Sequence, residues 1–240
     1  MGKSHIPPDP GRKIILKIEE ARKLIRNIYE GIRSQSPPHH FEFSDPFWVL
    51  ITTILSHRTK DEVTDAASRG LFERYHDAEG LSGAEYDEVR SIISRVGFSS
   101  VKATRVIEAA RIVMNDFMGT VPDSVEQLTT IPGVGRKTAN VVLADSMGIP
   151  AIAVDTHVQR IARRIGLSSF EDPYKTEERL VKIVPREIWV GFNPTLVEFG
   201  KHVCRPVGPL CSTCSISEYC EFYRNGSSRQ KHAKQKQNKS

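Results

Sequence analysis

The sequence predicts an all-α fold, and three observations carry that expectation. Apolar residues recur at three- and four-residue spacing through most of the chain, as the stripe of an amphipathic helix requires. No run of alternating apolar residues joined by hairpin turns is long enough to build a sheet. The 240 residues, 39% hydrophobic and 26% charged, suit one or two ordinary globular domains rather than a disordered or fibrous chain. About ten helices of roughly 8 to 20 residues fit that length.

The first element is the stripe Ile14, Ile18, Ala21, Ile25, Ile28 and Ile32. Residues 35–43, which hold Pro37, Pro38, His39 and His40, read as a loop in which the two histidines are solvated. Ser44-Asp-Pro46 starts a helix over Phe47–Leu55, with Ser44 as N-cap and Pro46 in the first turn. Trp48 and Trp189 read as core residues. After Gly97, the residues Ala103, Val106, Ile107, Ala110, Val113 and Phe117 make a second stripe. Asp123 and Glu126 stand at capping-box spacing behind Pro122. A helix carrying Ala139, Val142, Leu143 and Met147 closes at Gly148 and Pro150. Thr156–Ile165 is a further helix, and 167–175 reads as a loop.

The charge is unevenly spread. The net charge is +5, but six cations and no acid fall in residues 224–240, so the remaining 223 residues carry −1. Whole-molecule charge therefore does not argue for a nucleic-acid partner. The tail is expected to be disordered, adding only non-specific attraction to polyanions at low salt. No stretch approaches the roughly 20 apolar residues of a membrane span, and Met1–Lys13 lacks the apolar core of a signal peptide. A cytoplasmic protein is expected, with no membrane partner.

All four cysteines fall within seventeen residues, Cys204, Cys211, Cys214 and Cys220, spaced C-x6-C-x2-C-x5-C. In a cytosolic chain such a cluster points to metal rather than to disulfides. Four thiolates suit a tetrahedral zinc ion or a cubane iron–sulfur cluster. Only Cys211 and Cys214 form a zinc-like pair, and the wider spacing of the others favours the larger cluster.

Between two helical segments lies Ile131-Pro-Gly-Val-Gly-Arg-Lys-Thr138, a helix-hairpin-helix pattern. Gly133 and Gly135 let the turn approach a surface closely, and backbone amides at the start of the next helix form a natural phosphate site. Lys137 falls in that first turn, where the helix dipole disfavours a cation. Such a lysine is either a point charge for phosphate or an amine of lowered pKa, the nucleophile of Schiff-base chemistry. Eighteen residues on, Asp155 heads the helix Thr156–Ile165, as an N-cap or as a working carboxylate.

Together these residues resemble the endonuclease III branch of the helix-hairpin-helix DNA glycosylase superfamily. The matching pieces are Ile131–Leu143, Ile152-Ala-Val-Asp-Thr-His157 and the cysteine cluster, with early-helix positions Phe47, Leu50, Ile51, Leu55, Ser56 and Asp61 and the segment Gly97–Ala103. The likeness covers about residues 40–222. It implies a six-helix barrel domain over 41–152 and a [4Fe–4S] domain built from 1–40 and 153–223, followed by the basic tail 224–240. Damaged DNA would lie in the cleft between the two domains.

The resemblance further implies that Lys137 is the Schiff-base lysine, Asp155 the essential aspartate, and the four cysteines the cluster ligands. The activity implied is removal of oxidised pyrimidines from duplex DNA, followed by nicking through β-elimination. Its partner is double-stranded DNA with a damaged pyrimidine or an abasic site, met by a monomer. Gly133, Val134, Gly135 and Arg136 would anchor phosphate, and His157 reads equally as a phosphate contact or as an orienting residue at the start of its helix. Arg58 and Phe98 match the two positions that fill the gap left by a flipped base, where relatives often carry glutamine and an aliphatic residue. The 204–211 loop also departs, with Arg205 as its single cation. Two other readings remain. One is a monofunctional mismatch glycosylase removing thymine or uracil, or a relative removing adenine opposite oxidised guanine, although such relatives typically carry Tyr or Ser in place of the lysine and the adenine enzymes carry an extra C-terminal domain. The other is a non-catalytic iron–sulfur DNA-binding module, which would be expected to lose Lys137 or Asp155.

Overall fold

A computed structural model describes residues 15–39 and 42–225, and these are helical without strands. Ile14, His40 and most of the basic tail, with the disorder expected of it, lie outside the described residues. The chain divides into two compact units. Among the described residues, one gathers 15–38, 154–185 and 194–225; the other gathers 39, 42–153 and 186–193.

The second unit holds α2 (Pro46–Ser56), α3 (Asp61–Tyr75), α4 (Ala78–Ser82), α5 (Tyr86–Ile92), α6 (Ser99–Asp116), α7 (Val125–Leu128) and α8 (Arg136–Val141). A π-turn at Val142–Ser146 extends α8. Helix α2 is apolar nearly all round and forms the centre of this unit, with Leu50, Ile51, Ile54 and Leu55 at most 1% exposed. Burying each such side chain contributes about 1.5–3 kcal/mol. Helix α6 packs the stripe Ala103, Val106, Ile107, Ala110 and Val113 into the same core.

Local details correct the sequence reading in three places. The cap of α2 is Asp45, not Ser44: Asp45 Oδ1 accepts from the amides of Phe47 at 3.0 Å and Trp48 at 3.2 Å. Ser124, not Asp123, caps α7, accepting from the Gln127 amide at 3.3 Å. The stretch 167–175 is not wholly loop, because α10 (Pro173–Ile183) starts inside it behind the N-cap Asp172. Trp48 is buried as expected and donates from Nε1 to His76 O at 3.0 Å, whereas Trp189 is half-buried and stacks with the Arg186 guanidinium.

The first unit contains α1 (Ile18–Ser34), α9 (Thr156–Ile165), α10 and residues 194–202 of α11 (Trp189–His202). Helix α1 buries Ala21, Ile25, Ile28 and Ile32, the expected stripe. Its C-terminal end grips the cysteine segment. Gln35 donates to Thr213 O and accepts from the Ser215 amide, both at 2.8 Å, and Ser215 Oγ donates to Gly31 O at 2.6 Å. Gly31 is required there, since a Cβ would stand 2.6 Å from Ile216 Cγ2.

Candidate functional site

The hairpin is a tight turn at Ile131–Val134, closed by the Val134 amide donating to Ile131 O at 3.0 Å. That bond uses the Val134 amide within the turn, and the Val134 side chain is buried, so Val134 offers neither group to a phosphate. Gly133 takes φ +86, a conformation open to glycine, and a Cβ there would lie 2.8 Å from Arg105 Cδ. Arg105, which sequence reasoning passed over, therefore lies against the turn. Gly135 is the N-cap of α8 and supplies no side chain, so the first amides of α8 have no side-chain cap.

Lys137 is the second residue of α8 and half-buried. Its neighbour Thr138 meets His57 Nε2 through Oγ1 at 3.3 Å. Burial, and then the charges of Lys137, Lys102 and Arg105, hold His57 below the ordinary imidazole range. Asp145, on the π-turn continuing α8, has a buried Oδ1 without a hydrogen-bond partner among the described residues. Burial pushes its carboxyl up to about 7, against the opposing charge of Lys137. Neither Asp145 nor His57 was singled out from the sequence.

Asp155 belongs to the first unit. It is the N-cap of α9, with Oδ1 accepting from the amides of His157 at 2.9 Å and Val158 at 2.8 Å. The bland expectation for this residue is realised, and it leaves the carboxylate fixed in orientation. His157 packs against α11, where a Cβ at Gly200 would stand 2.4 Å from its Nδ1, and it meets Arg160 Nη2 at 3.2 Å.

Arg58 and Phe98 are brought together. The Arg58 guanidinium lies over the Phe98 ring, 5.8 Å from the centroid, and Phe98 is 63% exposed. Both residues have left-handed backbones, φ 53 and φ 59, which cost on the order of 1–3 kcal/mol each. Beneath them the sequence concealed a buried cation. Lys102, 3% exposed, donates from Nζ to Leu55 O at 2.7 Å, His57 O at 2.5 Å and Thr59 Oγ1 at 3.0 Å. Burial, reinforced by Arg105, lowers its pKa to about 8. The signal was in the pattern: Lys102 occupies the same stripe as Val106, Ala109 and Val113.

The four cysteines line one pocket of about 370 Å³, part of it open to solvent, with Ile161, Ile165, Phe199, Val203 and Leu210 among its apolar walls. Among the described residues, no three His, Cys, Asp or Glu side chains are gathered to hold a metal ion. Burial raises the thiols of Cys211, Cys214 and Cys220, the last to about 11, with the Cys204 charge adding to each. Cys204 is gripped by two arginines that sequence reasoning missed. Arg160 donates to Cys204 O from Nε at 3.1 Å and Nη2 at 3.0 Å, and Arg164 Nη1 donates to Cys204 Sγ at 3.3 Å. Arg205 turns back to its own loop, donating to Gly208 O at 3.1 Å.

Comparison with known proteins adds to this geometry. The HhH-GPD superfamily of base excision DNA repair proteins matches residues 51–186. An endonuclease III of Thermotoga maritima is 44% identical over 201 residues, which span 84% of this chain and 94% of that protein. A trapped endonuclease III–DNA covalent intermediate superposes with TM-score 0.81 at 30% identity, covering 89% of this chain and all of that one. A thermostable thymine-DNA glycosylase gives TM-score 0.78 at 27% identity, covering 86% and 98% of the two chains.

Proposed function

We propose, from the premise that this chain belongs to the HhH-GPD superfamily of base excision DNA repair proteins and within it to the endonuclease III family, that it excises oxidised pyrimidines from duplex DNA and then nicks the strand, with Lys137 as nucleophile. The observation that carries this reading is the position of Lys137, half-buried in the first turn of α8 directly behind the glycine hairpin. An endonuclease III relative is known as a covalent DNA intermediate, and an amine at this point of the chain accounts for such a bond.

In this reading the residues divide the work. The amides of Gly133 and Gly135 and the uncapped start of α8 hold a backbone phosphate, which positions the duplex without reading its sequence. A damaged base costs least to unstack, which favours its extrusion. The Lys137 amine attacks the sugar C1′ as the C1′–N bond breaks and the base leaves with its electron pair. Asp155, held by the amides of His157 and Val158, steadies the positive charge on the sugar and accepts the proton that the lysine sheds. The nitrogen lone pair then opens the C1′–O4′ bond, with O4′ taking up a proton, and the resulting iminium acidifies C2′; loss of that C2′ proton expels the 3′ phosphate.

Four cysteines lining one pocket are, by their chemistry, a donor set suited to a [4Fe–4S] cluster. Its thiols are raised by burial and by one another's charge, so a thiolate set there needs a cationic partner, and the Cys204 sulfur already accepts from Arg164. Cys204, Cys211, Cys214 and Cys220 would hold the cluster, which when bound supplies a covalent brace for this segment. No helix among the described residues is long and apolar enough to cross a membrane.

The test is a duplex carrying one thymine glycol, incubated with wild type and Lys137→Ala. Wild type should release the base and nick the strand, and the variant should do neither. Base loss that survives in the variant without nicking would transfer the assignment to a monofunctional glycosylase.

A further inference from the structure

We propose that Lys102 is a positioning residue that joins two turns, 57–59 and 97–98, into one preformed wedge, so that Arg58 and Phe98 enter the duplex as a stacked pair. This rests on the reading of the site given above, and it assigns a duty to a side chain that touches no DNA.

An ammonium has three donors, and all three of Lys102 are used within one patch. Two go to the carbonyls of Leu55 and His57, which close the C-terminal end of α2, where helix carbonyls lack intrahelical partners. The third goes to Thr59 Oγ1, which also accepts from the Gly97 amide at 3.3 Å. Thr59 thereby ties the turn of Arg58 to the turn of Phe98. The approach is close enough that a Cβ on Gly97 would stand 2.8 Å from Arg58 O. On either side of this knot stand the two left-handed residues, Arg58 and Phe98. Their strained backbones persist because the clamp between them leaves the turns no other arrangement. Phe98, although 63% exposed, is thus held beside the Arg58 guanidinium before any DNA arrives. A wedge ordered in advance loses little conformational entropy on insertion, which raises affinity for a gapped stack selectively.

The experiment uses the full-length protein and two duplexes, one intact and one with a tetrahydrofuran abasic analogue opposite 2-aminopurine. Wild type should prefer the abasic duplex and change the 2-aminopurine fluorescence as the wedge displaces it. Lys102→Met keeps the stem and removes the three donors; its preference ratio should fall about tenfold, with the fluorescence change lost. Reading a ratio on folded protein separates wedge order from general stability. Thr59→Val leaves the two carbonyl bonds of Lys102 and removes the bridge between the turns, together with the Thr59 Oγ1 donation to His57 O within its own turn. Its ratio should fall at least threefold, and it decides the matter if Lys102→Met does not fold. Folded variants that keep the wild-type ratio and signal overturn the clamp alone. A wild type without any preference overturns both the clamp and the assignment of the site.

Discussion

Asp145→Asn should stabilise the protein above neutral pH and change it little near pH 4.5. The Asp145 carboxyl is pushed up from 3.8 to about 7 by burial, and its Oδ1 has no hydrogen-bond partner among the described residues. The folded state therefore holds this proton over a range in which the unfolded chain has released it. Stability present below about pH 4 is lost as pH rises towards 7, and stays lost above it. A separation of about three pH units corresponds to at most about 4 kcal/mol. Water entry and relaxation around the carboxylate take part of that, so about 2 kcal/mol is expected at pH 8. For a chain of this size that is roughly 4–8 °C in Tm. At pH 4.5 a neutral carboxyl and a neutral amide are nearly equivalent. The assay is thermal unfolding of both proteins at pH 4.5 and pH 8. A Tm difference of equal size at the two pH values would refute the reasoning.

Three further outcomes are expected. Asp155→Asn keeps an acceptor for the amides of His157 and Val158, so it should cost less than about 1 kcal/mol of stability while lowering single-turnover base release by about 10²-fold; equal activity would leave Asp155 as a cap only. Arg164→Met removes the donor to Cys204 Sγ and the stacking on Phe222, so iron should be lost to a chelator several-fold faster at unchanged Lys137 chemistry; identical iron loss would deny Arg164 that role. Removing 224–240 takes away six cations and should weaken binding to intact duplex and flatten its salt dependence, with lesion choice unchanged; an altered lesion spectrum would contradict the view of this tail as solvated charge.

What was legible in the sequence was whatever depends on periodicity or on a fixed local spacing. The stripes of α1 and α6 bury as their spacing requires, and the hairpin, Lys137 and the cap at Asp155 stand where their residue types put them. The errors arose where several residues compete for one local job. Ser44 and Asp45 both cap well by residue type, and it is Asp45 whose Oδ1 reaches the amides of Phe47 and Trp48. The start of α10 was missed although Asp172-Pro173 is itself a helix-start signal. Long-range partners leave no local mark. Lys102 stands on the buried stripe of α6, but its acceptors, the carbonyls of Leu55 and His57, lie more than forty residues away in the chain. The acceptor of Arg160 and Arg164, Cys204, likewise lies some forty residues on in the chain.

The central claim is that Lys137 forms the covalent bond to DNA. The most direct measurement is borohydride reduction during turnover on an abasic-site duplex, followed by digestion and mass spectrometry of the adduct. The account predicts one sugar-modified peptide, with the mass shift on Lys137. A modification on any other amine, or no adduct alongside efficient nicking, would contradict it.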